Sequence, residues 1–176
     1  MNMLIKMHMF FSCMMLVLLP SAQAAVATNT FQVLINITAS CIVNSGSGSN
    51  INLGSVSSSA TNTTGNSSFS VQCSRTTPYF IGLAPSTING GNTTGAGSMA
   101  SVENSATNTD KIPYQLHQTS GTGPVWGNTA TTTAAGNGVA ATGTGLAQTY
   151  TVYAVAASAN FAPDSYADTV TINVNY

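Results

Sequence analysis

The sequence reads as an all-β sandwich, and three observations carry that reading. Apolar and polar residues alternate with a period of two in short segments, Gly, Ser, Thr and Asn separate those segments, and no window repeats at the helical period. The composition agrees with a folded chain. With 43% hydrophobic and 4% charged residues it lacks the low hydrophobicity and high net charge that keep a chain disordered.

The elements begin after a segment that must be set aside. Lys6 precedes an apolar run over residues 10–19, followed by Pro20 and Ala22-Gln23-Ala24. This pattern reads as a secretory signal peptide over residues 1–24, cleaved after Ala24. About ten apolar residues span roughly 15 Å as a helix, half of a bilayer core, so a permanent membrane anchor is the weaker reading. Cys13 leaves with that segment, which puts Cys41 and Cys73 alone in an oxidising compartment. A single structural disulfide is the natural inference. The remainder is long enough for one domain.

In chain order, Phe31, Val33, Ile35 and Ile37 share one strand face, with Gln32, Leu34, Asn36 and Thr38 on the other. Two minor strands follow at 41–43 and 51–53. Phe69, Val71 and Cys73 point inward with Ser68, Ser70 and Gln72 outward. Tyr79, Ile81 and Leu83 make the next strand, and Ile112, Tyr114 and Leu116 another, in which Pro113 marks an edge or a strand start. Val152 and Val155 lie in an apolar strand over 150–156. Val170, Ile172, Val174 and Tyr176 form the cleanest alternation of all. The polar stretches 55–68, 89–110 and 127–145 read as long surface connections with room for short extra strands.

Charge and chemistry narrow the function. A net charge of −1 supplies no positive field for a phosphate backbone or an anionic lipid surface, which argues against nucleic-acid binding and polybasic attachment. After the signal peptide one histidine remains, His117, with Asp110 close in sequence, and no Gly-x-Ser-x-Gly elbow accompanies them. The chain does not read as an enzyme. No cluster of His and Cys suggests a metal, and no cofactor is expected; Asp164 and Asp168 read as turn residues rather than calcium ligands. Gly143 and Gly145 lack the lysine and the strand-to-helix setting of a phosphate loop. The triplets at Asn36, Asn62, Asn66 and Asn92 are chance sequons in a chain rich in Asn, Ser and Thr. Trp126, after Pro124 and before Gly127, could stack on a sugar, although burial in the core is the favoured reading. The strand over 170–176 runs to the last residue, so an open sheet edge beside it is expected. The strand over 31–37 is then either an ordinary first strand or one that completes the open edge of a neighbour.

Several short motifs in order carry a family resemblance. They are Phe31-Gln32-Val33-Leu34-Ile35-Asn36-Ile37 ahead of Ser40-Cys41, then Leu53-Gly54, Val71-Gln72-Cys73-Ser74, Pro78-Tyr79 and Gly82-Leu83. Pro113-Tyr114-Gln115-Leu116, Val125-Trp126-Gly127, the strand at 150–153 and Tyr166-Ala167-Asp168-Thr169-Val170 continue the set. Together they resemble the spore coat U domain family, found in the shaft subunits of archaic, Csu-type chaperone-usher pili. Leu53 stands where an aromatic residue is common before the glycine, and His117 follows Leu116 where an aromatic residue often sits.

The resemblance implies an incomplete immunoglobulin-like sandwich that lacks its last strand and is completed by donor-strand complementation. It divides the chain into a signal peptide at 1–24, a donor segment at 25–38 and a pilin domain at 39–176. Phe31, Val33, Ile35 and Ile37 become the donor side chains, and Val170, Ile172, Val174 and Tyr176 line part of the acceptor groove. The implied partners are identical or related subunits, a periplasmic chaperone and an outer-membrane usher. The implied location is a surface pilus used for adhesion and biofilm formation. The alternative is a secreted carbohydrate-binding β-sandwich.

Overall fold

A computed structural model of the chain describes residues 24–46 and 48–176; the signal peptide expected at 1–24 lies, except for Ala24, outside the described residues. Residues up to Asn36 and residues from Ile37 onward form separate units. In the first unit the described residues form no strand.

The second unit is built of antiparallel strands: β1 (Cys41–Asn44), β2 (Thr61–Cys73), β3 (Pro78–Pro85), β4 (Ala96–Ser101), β5 (Lys111–His117), β6 (Val139–Thr142), β7 (Gln148–Ser158), β8 (Tyr166–Ala167) and β9 (Val170–Asn175). A 3-10 turn at Thr87–Asn89 follows β3. One sheet has the order β1-β2-β7-β5-β4-β8 and the other the order β6-β3-β9. Their inner faces pack together as an immunoglobulin-like sandwich.

The alternation read from the sequence decides which side chains fill the space between the sheets. Phe69, Val71 and Cys73 of β2, Tyr79, Ile81 and Leu83 of β3, Tyr114 and Leu116 of β5, and Val152, Ala154 and Ala156 of β7 are buried. Trp126 stands among them at 1% exposure, its ring 5.8 Å from that of Phe69. Its indole N–H donates to Ile81 O at 3.0 Å, which satisfies the one polar atom this large ring brings into the core. The hydroxyls of Tyr79 and Tyr150 meet at 2.6 Å for the same reason.

The differences from the sequence reading have physical causes. Residues 51–53 form no strand, because no ladder partner lies beside them, whereas β2 begins at Thr61, inside the stretch read as a connection. That first half of β2 is Thr, Asn and Gly with no apolar alternation to reveal it. The stretches 89–110 and 127–145 contain β4 and β6. Pro113 lies in an interior strand and not at an edge: β5 sits between β7 and β4. The proline is tolerated because β7 pairs only with Gln115, Leu116 and His117, so the missing N–H falls where β5 has one neighbour. The strand over 150–156 extends to Gln148–Ser158, and Tyr176 falls just beyond β9, 51% exposed.

Candidate functional site

β9 carries the open edge. It pairs on one side with β3, from Phe80 opposite Asn175 to Pro85 opposite Val170, and its other side has no strand partner among the described residues. Beside that edge lies a groove of about 680 Å³ whose apolar lining includes Val43, Leu53, Phe69, Leu116, Val170 and Ile172. It continues into a second hollow of about 600 Å³ walled by Ile51, Met99, Ile112 and Ala156. The floor is the core itself, left uncovered between the two sheets.

The opposite wall is the segment 50–56, whose main chain is also free. Among the described residues it makes no main-chain bond to another main-chain group; Gly54 N donates to the side chain of Asn52 at 2.7 Å. Ser49 Oγ, donating to Ser68 O at 2.8 Å, ties the start of the segment to β2. Gly65 lets it cross the inner face of β2, since a Cβ there would stand 2.7 Å from Asn52 O. Backbone N–H and C=O groups that face an apolar groove must find partners once the groove is filled. The site is therefore a trough with apolar side chains at its floor, between two runs of main chain without ladder partners among the described residues.

Two carboxylates, one on either side of β8, hold the approach to β9 in place. Asp168, on the groove wall, accepts hydrogen bonds from Tyr114 Oη at 2.7 Å and Asn89 Nδ2 at 2.9 Å. Burial, and then Asp168 beside it, push the Tyr114 hydroxyl far above the usual tyrosine range. Asp164 accepts from Ser101 Oγ at 2.6 Å, Asn108 Nδ2 at 2.8 Å and Asn104 Nδ2 at 3.1 Å. The Ser101 and Asn108 hydrogen bonds hold its carboxyl below the usual range. Each aspartate has its own set of partners, and among the described residues no group of three or more His, Cys, Asp or Glu could hold a metal.

Where β1 meets β2, Cys41 and Cys73 form the disulfide, with Cα atoms 4.1 Å apart. Next to it Ser74 N donates to Ser40 O at 2.9 Å, and Ser40 N donates to Ser74 Oγ at 3.1 Å. These bonds pin the residue just before the four-residue strand β1.

The residues singled out from sequence fall into three groups. Val170 and Ile172 line the groove, Val174 is half-buried against the core, and Tyr176 faces outward. Phe31, Val33, Ile35 and Ile37 are 89%, 87%, 86% and 80% exposed. The residues considered for other chemistry are engaged elsewhere: Trp126 is buried, His117 Nδ1 donates to Gly123 O at 2.7 Å, and Asp110 accepts from Ala162 N at 3.0 Å. Sequence reasoning did not place Val43, Ile51, Leu53, Met99 or Tyr114 in the groove. The Ile51 and Leu53 alternation was the available signal, and it was read as a minor strand rather than as a groove wall.

No helix among the described residues is long and apolar enough to cross a membrane. No curated protein matches the sequence. Among solved structures, the chain is similar to one in the crystal structure of the CsuC-CsuE chaperone-tip adhesion subunit pre-assembly complex from archaic chaperone-usher Csu pili of Acinetobacter baumannii. The identity is 17%, the TM-score 0.48, and the match covers 80% of this chain and 40% of that one. The family model described as the Spore Coat Protein U domain matches residues 27–173, which takes in the exposed N-terminal alternation, the disulfide and most of β9. On that match, the chain belongs to the Spore Coat Protein U domain family.

Proposed function

We propose that this protein is a structural pilin subunit that polymerises by donating residues 31–37 of one copy to the groove of another. The observation that carries the reading is the open groove beside β9, with apolar lining and free main-chain edges on both walls. The donor has matching chemistry, because Phe31, Val33, Ile35 and Ile37 alternate on one face and are exposed. As a strand, residues 31–37 span about 20 Å, close to the length of the six-residue β9. Burying four such side chains is worth on the order of 6 to 12 kcal/mol before ordering costs, with a main-chain ladder in addition. That is enough to hold a fibre without covalent links.

A subunit in transit with this groove uncovered would expose core surface and an unpaired edge, both of which drive aggregation. The proposed partners follow from that hazard: a periplasmic chaperone that lends a temporary strand, and an outer-membrane usher at which the next subunit's strand replaces it. The product is a surface pilus serving adhesion and biofilm formation. Replacement of Ile35 by Asp tests the reading, because it places a charge at the centre of the inserted face. Subunits carrying Ile35→Asp should remain as single copies under electron microscopy. Fibres formed at the normal rate would refute donor-strand assembly.

A further inference from the structure

We infer that aromatic side chains hydrogen-bonded from one sheet to the other set the separation of the sheets at the groove, and that Tyr114 with Asp168 is the pair that positions the β9 edge. The functional part of this inference rests on the acceptor role proposed for the groove. Two apolar faces beside an open groove gain by closing on each other, because closure removes apolar surface from water. Hydrophobic attraction has no preferred direction or length, so it cannot itself fix a gap. A rigid ring anchored by its backbone in one sheet and by a hydrogen bond in the other has both.

Three crossings of this kind are present among the described residues. Tyr150 of β7 meets Tyr79 of β3 hydroxyl to hydroxyl at 2.6 Å. Trp126, whose backbone N–H donates to Leu116 O of β5 at 2.9 Å, reaches Ile81 O of β3 with its indole N–H at 3.0 Å. Tyr114 of β5 reaches the carboxylate of Asp168, two residues ahead of β9, at 2.7 Å. Of these, only Tyr114 and its partner line the groove.

The surroundings of Tyr114 are fitted to that reach. Gly97 of β4 lies opposite it in the ladder, and a Cβ on Gly97 would stand 2.5 Å from the Tyr114 Cζ and Oη and 2.7 Å from the Pro85 Cβ. The ring therefore leans over β4 toward Pro85, which is itself opposite Val170, the first residue of β9. Asp168 takes the Tyr114 hydroxyl on one carboxylate oxygen and Asn89 Nδ2, from the 3-10 turn after β3, on the other at 2.9 Å. Lys111 Nζ ties that turn back to β5 through Ile88 O at 3.0 Å. The sheet holding β5 is thus joined twice to the segments that flank β3 and β9. Hydrogen bonds to a carboxylate are short and about twice as strong as neutral ones, so the Tyr114 and Asp168 pair fixes a distance. β9 has one strand neighbour among the described residues, and without this pair its first residues are free to swing toward the groove floor. Val170 and Ile172, which line the groove, move first.

Three variants of the full chain test the inference. Tyr114→Phe removes one hydroxyl and keeps the ring, Asp168→Ala removes the shared acceptor, and Asp168→Asn keeps an oxygen for the Tyr114 hydroxyl. Amide hydrogen exchange is read by mass spectrometry, beside the uptake rate of a labelled synthetic peptide of residues 29–38 added in excess. In Tyr114→Phe and Asp168→Ala, the amides of residues 170–173 should exchange about tenfold faster or more, while those of residues 67–73 and 152–156 keep their original rates. Peptide uptake should fall about fivefold or more in both, and Asp168→Asn should recover most of each loss. Unchanged exchange at 170–173, or equal acceleration in every strand, would overturn the inference; the latter would show a pair that supports the whole fold and not this edge. Faster exchange at 170–173 with unchanged peptide uptake would overturn the positioning role. A wild-type chain that takes up no peptide would instead refute the acceptor role of the groove, and the exchange rates would still decide whether the pair holds β9.

Discussion

Asp164 shows how one side chain can organise a turn. Its carboxylate gathers Ser101 at the end of β4, Asn104 and Asn108 from the connection that follows, and the backbone N–H of Ser165, and holds that connection against the approach to β8. Its pKa is lowered from the ordinary 3.8 by the Ser101 and Asn108 hydrogen bonds, so the charged form favours the folded state. The sign follows from linkage: the contribution is complete above the unfolded-state value and is lost as pH falls through the lower folded one. Thermal melts from pH 6 to pH 2 should show the melting temperature dropping below about pH 4, and Asp164→Asn should flatten that drop. An unchanged acid slope in the variant would remove Asp164 as its cause. Gly65 acts at the same scale in another way: the absence of a side chain lets the 50–56 wall lie close against β2.

Among the elements, β1 is one of the short strands with a single neighbour. It is four residues long and pairs only with β2, yet Val43 forms part of the groove wall. The Cys41–Cys73 bridge supplies what the short ladder lacks, by tying its first residue to the last residue of the thirteen-residue β2. Closing a loop of about 33 residues stabilises the fold by roughly 3 to 4 kcal/mol on the chain-entropy model. Replacing both cysteines by serine should lower the unfolding free energy by about that amount in urea titrations. A loss below about 1 kcal/mol would mean that the Ser40 and Ser74 clasp and the β1 ladder suffice without the bridge.

For the molecule as a whole, the scarcity of charge becomes a statement about assembly. With 4% charged residues and a net charge of −1, copies joined in the proposed way would neither steer nor repel one another strongly, because the proposed contact is mainly apolar. Assembly rates measured by light scattering should therefore change less than about twofold between low and high salt. A steep salt dependence would show that charged groups outside the groove govern docking.

The alternation of Phe69, Val71 and Cys73, of Tyr79, Ile81 and Leu83, and of Tyr114 and Leu116 was enough to identify strands and their buried faces, because side-chain direction along a strand is a local property. The two cysteines were likewise legible as a pair, by number, once the N-terminal segment with Cys13 was set aside. The first half of β2, β4 and β6 were not, since polar strands take their identity from the neighbour they pair with rather than from their own pattern. The groove belongs to the same class of fact. Val43, Leu53, Leu116 and Ile172 are far apart in the chain, and they become one surface because β9 has a partner on one side and the segment 50–56 finds none. Local chemistry settled what each segment could bury; the long-range order of the strands settled which core surface was left uncovered.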